Sequence, residues 1–251
     1  MDSQPNQKFI DVDNSKPACP KCGSHNIRKN GHIHNGKQNH QCKDCGRQFV
    51  EGNTKKYISN FLQNLVDKLL LEKIPLAGIC RVLGVSGTWL QEYVNAKYVK
   101  VPRELNVSAK APGKLIIQCD ELWSYVQKKE NQQWVWLALD LNTREIVGCY
   151  VGDRSKNSAQ KLWDSLPPVY RQCAVCYTDF WQADECVLPK KRHKSVSKSS
   201  GKTSHIERFN NTLRQRISRL VRKTLSFSKK LENHIGALWY FIHHYNESLH
   251  I

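Results

Sequence analysis

Apolar residues change their spacing several times along the chain, and each change marks a different kind of element. Between 58 and 70, Ile58, Phe61, Leu62, Leu65, Val66, Leu69 and Leu70 recur at helical spacing and predict one amphipathic helix. The stretch PLAGICRVLGVSGTWLQEYV follows. Ala77, Ile79, Cys80, Leu83 and Val85 fit a short helix running into a Gly84 turn, and Ser86 is placed to cap a second helix bearing Trp89, Leu90, Tyr93 and Val94. Helix, glycine turn, helix is the order of a helix-turn-helix, whose second helix would enter a major groove; a helical hairpin that only packs or dimerises fits the same pattern.

From 114 onward the period shortens. Residues 114–120 predict a strand, and QQWVWLALDLNTREIVGCYVGD predicts two more around an Asn142-Thr143 turn, giving a three-strand meander. SAQKLWDSLPPVY reads as a helix capped by Ser158 and stopped by Pro167, and CAVCYTDF as a strand ending at Asp179. The polar, basic stretch KKRHKSVSKSSGKTS at 190–204 reads as a mobile loop. In SHIERFNNTLRQRISRLVRK, Ile206, Phe209, Leu213, Ile217 and Leu220 form an apolar helical stripe. Glu207, Asn211 and Arg214 share a second arc, while Arg208, Thr212, Arg216, Arg219 and Arg222 occupy most of a third, suited to a phosphate backbone. A last helix carries the core stripe Ile235, Leu238, Trp239, Ile242 and Tyr245, with Glu232 and Glu247 facing solvent.

This pattern divides the 251 residues into a zinc-ribbon-like module at 1–56, a helical module at 57–98, a linker at 99–113 with two prolines and a glycine in and beside it, and a mixed α/β module at 114–251. The first module is identified by its cysteines. Cys19-Pro-Lys-Cys22 and Cys42-Lys-Asp-Cys45 are two CxxC pairs, each followed by a glycine, so each can form a knuckle presenting two thiolates to one tetrahedral Zn²⁺. Asn35-Gly36 supplies a hairpin turn between them. So short a module has little core of its own, and the metal would supply most of its folding energy. His25, His32, His34 and His40 are then expected to be solvated or phosphate-facing.

Charge adds a partner. The net charge is +17, and it is unevenly spread. Residues 1–56 carry +5 (10 basic, 5 acidic), 57–110 carry +3 (7 and 4), 111–185 carry −2 (8 and 10), and 186–251 carry +11 (14 and 3). Basic flanks around an acidic centre suit a protein that neutralises phosphates beside a cation site. No secretion signal opens the chain and no apolar run approaches ~20 residues, so no membrane and a cytoplasmic location are expected. Ten cysteines in a reducing compartment favour metal ligands or buried thiols over disulfides.

The acids define the chemistry. Asp120 and Asp179 each sit where an apolar strand is expected to end, and in adjacent parallel strands such ends lie side by side. Two carboxylates so placed repel unless a divalent cation joins them. Glu207, on the helix that would cross that edge, supplies a third. Glu121 should point to the opposite face of its strand from Asp120. Asp140 and Asp153 read as turn or cap residues, His205 as either a helper near the metals or a structural group, and Trp181 as a packing residue or a base contact.

The phrases CDELWSYV, NQQWVWLALD, VGDRS, YTDFW and SGKTSHIERFNNTLRQRISRLVRKTLSFSK resemble bacterial transposases of the insertion-sequence-one family, and the Asp120, Asp179, Glu207 pattern with Arg214 seven residues on is similar to the DDE set of transposases and integrases. The likeness covers nearly the whole chain. It implies an RNase H-like mixed-sheet catalytic domain preceded by a zinc ribbon and a helix-turn-helix. It further implies Mg²⁺ (or Mn²⁺) ions held by Asp120, Asp179 and Glu207, a structural Zn²⁺, double-stranded DNA as partner (terminal inverted repeats and target), homo-oligomeric assembly, and work on the bacterial nucleoid. DNA contacts would fall to Arg208, Arg214, Arg216, Arg219 and Arg222. Members often split the transposase between two frames joined by frameshifting; this chain reads through as one. Two other classes fit the residues alone: a zinc-ribbon and helix-turn-helix transcription regulator without catalysis, and an RNase H-like nuclease that cuts but never joins.

Overall fold

The computed structural model describes residues 17–50, 58–179, 187–220 and 228–250. The chain forms two compact units, 1–65 and 66–251. In the first, β1 (Ile27–His32), β2 (Gln38–Cys42) and β3 (Gln48–Val50) make an antiparallel sheet in that order. The β1–β2 turn uses Gly36 at φ +80°, a left-handed conformation that glycine adopts without strain, and Asn35 accepts the Lys37 N–H at 3.2 Å. His40 departs from the solvated role expected of it: it is buried and stacks on Phe49, with ring centroids 5.6 Å apart.

The second unit is built on a five-stranded mixed sheet. Its strands are β4 (Ile116–Tyr125), β5 (Gln132–Asp140), β6 (Ile146–Gly152), β7 (Val175–Thr178) and β8 (His193–Ser195), in the order β6-β5-β4-β7-β8. β4, β5 and β6 form the expected antiparallel meander; β7 and β8 then join parallel. Two sequence expectations change here. β4 runs on through Asp120 to Tyr125, because Trp123 pairs with Trp134 and Tyr125 with Gln132 across the hairpin, so Asp120 lies within the strand and not at its end. The basic stretch read as a mobile loop contains β8, since His193, Lys194 and Ser195 pair with Cys176, Tyr177 and Thr178.

Side chains of β4 alternate between two cores, as strand geometry requires. Ile117 and Cys119 join Trp136, Ala138, Val147, Ala159, Leu162 and Tyr170, beneath α4 (Lys156–Ser165) and α5 (Pro168–Cys173). The α4 cap is Ser155, whose side chain accepts the Ser158 N–H; Ser158, the expected cap, is a buried first-turn residue. The even positions face α6 (Ser204–Arg216) and α7 (Leu231–Ser248). Thr203, the N-cap of α6, makes no side-chain cap. Gln118 replaces it from the sheet: its Oε1 accepts the Ile206 N–H at 3.0 Å and the His205 N–H at 3.1 Å, and its Nε2 donates to Lys202 O at 2.7 Å. A helix start leaves such N–H groups without partners, so this one buried glutamine fixes where α6 begins over β4.

Three helices precede the sheet: α1 (Asn60–Leu69), α2 (Leu76–Leu83) and α3 (Gly87–Lys100). Gly84 ends α2 at φ +62°, and the Ser86 hydroxyl accepts the Trp89 N–H at the start of α3. Tyr98 of α3 lies so close to Gly236 of α7 that a Cβ there would sit 2.3 Å from the Tyr98 Cβ. The stretch read as a linker is fastened down. Glu145, buried directly before β6, accepts the Ser108 N–H at 3.0 Å, the Ser108 hydroxyl at 2.7 Å and the Lys110 ammonium at 3.1 Å.

Candidate active site and cysteine centre

Register explains why the acids meet. The parallel pairing of β4 with β7 aligns Gln118 with Tyr177. Two residues further on, where the two strands separate, Asp120 and Asp179 stand level. Glu207 comes one turn into α6, whose start Gln118 fixes. All three line one open cleft of about 360 Å³, together with Glu121, Leu122, Trp134, Arg154, Asn210, Asn211 and Arg214.

Four carboxylates and two guanidinium groups therefore share the cleft. Burial, reinforced by the negative charges of Glu121 and Asp179, pushes the Asp120 carboxyl up to about 7. Two donors work against that shift: the Glu121 N–H to Oδ1 at 2.9 Å and the Asn210 amide to Oδ2 at 2.7 Å. Glu121, expected on the opposite face of the strand, lines the same cleft as Asp120 and pairs there with the Arg154 guanidinium. Arg154 Nη2 lies 2.6 Å from its Oε1, and the same guanidinium stacks 4.5 Å from the Trp134 ring centroid. Burial raises the Glu121 carboxyl while Arg154 opposes the rise. Thr203 donates to Glu207 Oε1 at 2.7 Å.

This excess of negative charge, offered by hard oxygen donors, fits divalent cations such as Mg²⁺. The carboxylates stand wider apart than a closed single-ion cage: among the described residues, only the four cysteines have all their donor atoms within 4.8 Å of one another. A spacing of that kind suits ions that keep part of their water shell.

The remaining expected residues fall in several places. Arg214 lines the cleft and donates to Trp123 O at 3.4 Å. Arg208 is exposed. Arg216 is engaged within the unit, donating to Leu71 O at 2.8 Å and pairing with Glu72, and Arg219 stacks on Tyr98 at 5.7 Å and donates to Ser228 at 3.3 Å. Arg222 and Trp181 lie outside the described residues. α6 stops at Arg216, where Ile217 turns extended, so the single long helix drawn through Arg222 is shorter than expected. Asp140 is a turn residue: its carboxylate accepts the Asn142 and Thr143 N–H groups and the Tyr170 hydroxyl. Asp153 accepts the hydroxyls of Ser155 and Ser158 at the start of α4. His205 gives its N–H to Gln118, and burial, with Arg144 and Arg208 nearby, lowers its pKa. Cys119, Cys149 and Cys176 are buried thiols.

The cysteines of the first unit form a second centre. Each CxxC pair closes a matching turn, with the Gly23 N–H bonded to Cys19 O at 2.9 Å and the Gly46 N–H to Cys42 O at 3.0 Å. Both glycines are left-handed, at φ +75° and +72°. The sulfurs of Cys19 and Cys45 are 3.6 Å apart, as are those of Cys22 and Cys42. Four sulfurs at ~2.3 Å from a tetrahedral Zn²⁺ would lie about 3.8 Å apart, so the cluster fits that ion. Backbone N–H groups of Cys45 and Asp44 hold the Cys42 thiol down to about 7, while, against the Ser24 backbone N–H, burial and the neighbouring cysteines push Cys22 up to about 12, so the sulfurs crowd one another until a cation joins them. Asp44 ties the two knuckles together through Asn26 at 2.8 Å and Ser24.

The sequence model of the IS1 transposase family matches residues 114–246, the span that holds the mixed sheet and the acidic cleft. That span is more than half of the chain, and the chain belongs to the IS1 transposase family. Among the proteins it resembles, the InsB protein of insertion element IS1 4 from Escherichia coli strain K12 is 36% identical over 134 residues, covering 52% of this chain and 77% of that protein. InsB of insertion element iso-IS1n from Shigella dysenteriae is 35% identical over 130 residues, covering 51% and 94%. Among the described residues, no helix is long and apolar enough to cross a membrane.

Proposed function

We propose that the chain cuts DNA at the ends of an insertion sequence and joins those ends to target DNA, using Asp120, Asp179 and Glu207 to hold two Mg²⁺ (or Mn²⁺) ions. The observation that carries this reading is the meeting of these three acids in one cleft, where burial first, and the charges of Glu121 and Asp179 after it, raise Asp120 to about 7, a cost that a bound cation would relieve. When bound, the ions supply the Lewis acidity that activates water and then the freed 3′-hydroxyl. Asp120 presents a carboxylate held at both oxygens by the Glu121 and Asn210 N–H groups, so it needs little rearrangement on loading. Arg214, one arc with Glu207 on α6, sets a positive charge at the cleft for the phosphate.

The sheet order, an antiparallel meander followed by two parallel strands, supports an RNase H-like fold for 114–251. The cysteine cluster supports a zinc ribbon in 1–56, and α2, Gly84 and α3 support a helix-turn-helix in 57–98. These parts would recognise the terminal inverted repeats, with exposed Arg208 neutralising backbone beside the cleft. Two ends must be held together, so the working form is a homo-oligomer on the bacterial nucleoid.

The test is to incubate the protein with labelled terminal repeats, a target plasmid and Mg²⁺. Joined products are expected, and each of Asp120→Asn, Asp179→Asn and Glu207→Gln should abolish them. Joining that survives all three changes refutes the reading; cutting without joining would leave a nuclease, and binding without either a regulator.

A further inference from the structure

We propose that Asn210 is a positioning residue for Asp120, kept at its place in α6 for cation binding and not for the stability of the fold; this rests on the proposed metal site. Asn210 lies one turn beyond Glu207 and one turn before Arg214, so it faces the same cleft. It is 6% exposed and flanked by the core residues Phe209 and Leu213, a position where an apolar side chain would be the ordinary choice. Asparagine is also a poor residue for a helix interior, because its amide competes with the backbone for hydrogen bonds.

Its two amide atoms fare differently. Nδ2 donates to Asp120 Oδ2 at 2.7 Å, whereas Oδ1 is buried and finds no hydrogen-bond partner among the described residues. An unmet buried carbonyl lowers stability; an apolar replacement would remove that loss but leave Asp120 Oδ2 without its donor, so the two effects oppose each other. What the amide contributes is therefore its N–H. With the Glu121 N–H on Oδ1, it fixes the rotation of the Asp120 carboxylate and leaves each oxygen lone-pair capacity for a cation. Groups that orient a metal ligand in this way commonly change affinity about 10–100-fold when lost.

The experiment uses the full chain with its zinc retained, and compares Asn210→Ala, Asn210→Leu and Asp120→Asn with the unaltered protein. Mn²⁺ binding is measured by titration calorimetry, and thermal midpoints are measured without added Mn²⁺. Both Asn210 variants should bind Mn²⁺ roughly 10–100-fold more weakly, with midpoints within a few degrees of the unaltered protein, because the relieved carbonyl offsets the donor lost to Asp120. Asp120→Asn should abolish the same binding. Wild-type Mn²⁺ affinity in either folded Asn210 variant overturns the inference, as does failure of both to fold, which would make the amide a structural group. Wild-type affinity in Asp120→Asn overturns the metal site itself, and the inference falls with it.

Discussion

The raised Asp120 carboxyl makes a prediction about stability that is independent of catalysis. A carboxyl whose folded pKa exceeds its unfolded value favours the folded state while protonated, and that advantage drains away as pH rises between the two values. For Asp120 they are 3.8 and about 7. At about 1.4 kcal/mol per unit over about 3 units, charging Asp120 costs the folded state up to about 4 kcal/mol above pH 7. Asp120→Asn removes the titration but keeps one oxygen to accept the Glu121 N–H. Without added Mg²⁺ and with zinc retained, this variant should be more stable than the unaltered protein at pH 8 by up to about 4 kcal/mol. The gap should close as pH falls toward 4. Thermal melts would report it as a rise of about 2–4 °C per kcal/mol for a chain of this size, and saturating Mg²⁺ should reverse the order by stabilising only the unaltered protein. A variant that is equally or less stable at pH 8 would show that the Asp120 carboxylate is not held against an electrostatic cost, and the argument for a cation there would lose its basis.

Other parts of the molecule make their own predictions. Cys42→Ser should release zinc, measured as metal per chain, and amide exchange should rise across 17–50 while the 114–179 strands stay protected; zinc retained at the wild-type ratio contradicts the cysteine centre. Gly236→Ala would drive a methyl to 2.3 Å from the Tyr98 Cβ and 3.1 Å from its Cα. It should lower stability by about 1–3 kcal/mol, read as a drop in the thermal midpoint. Although burial pushes the Glu145 carboxyl up, hydrogen bonds from Ser108 and Lys110 win and hold it at about 2. Its stabilisation is present above pH 4.5 and lost as pH falls toward 2, so Glu145→Gln should cost about 3 kcal/mol at pH 7 and almost nothing at pH 2, measured by urea unfolding at both values.

The elements that local chemistry dictates were the legible ones. Ser86 and Gly84 bracket α3 and α2 as their cap and turn preferences require, and the two CxxCG knuckles bring their sulfurs together at 3.6 Å. Asp120, Asp179 and Glu207 line one cleft, although Asp120 lies within β4 and not at the strand end where it was expected. What escaped depends on partners far away in sequence. Gln118 is one polar residue in an apolar run, and nothing nearby reveals that it caps a helix 86 residues later, at Ser204. β8 is too short and basic to show a strand period, and it is defined only by its pairing with β7. β4 extends past Asp120 because Trp123 meets Trp134 across the hairpin, a cross-strand effect that a single-strand reading does not contain. Asn210 looked like any polar helix residue until its amide was seen against Asp120.

Three carboxylates distant in sequence are proposed to share cations in one cleft. Diffraction from crystals grown with Mn²⁺, recorded at the manganese absorption edge, tests this sharing most directly. Anomalous peaks are expected between Asp120, Asp179 and Glu207, lost in crystals of Asp120→Asn. Manganese bound only elsewhere, or a cleft with no peak while all three side chains are ordered, would contradict it.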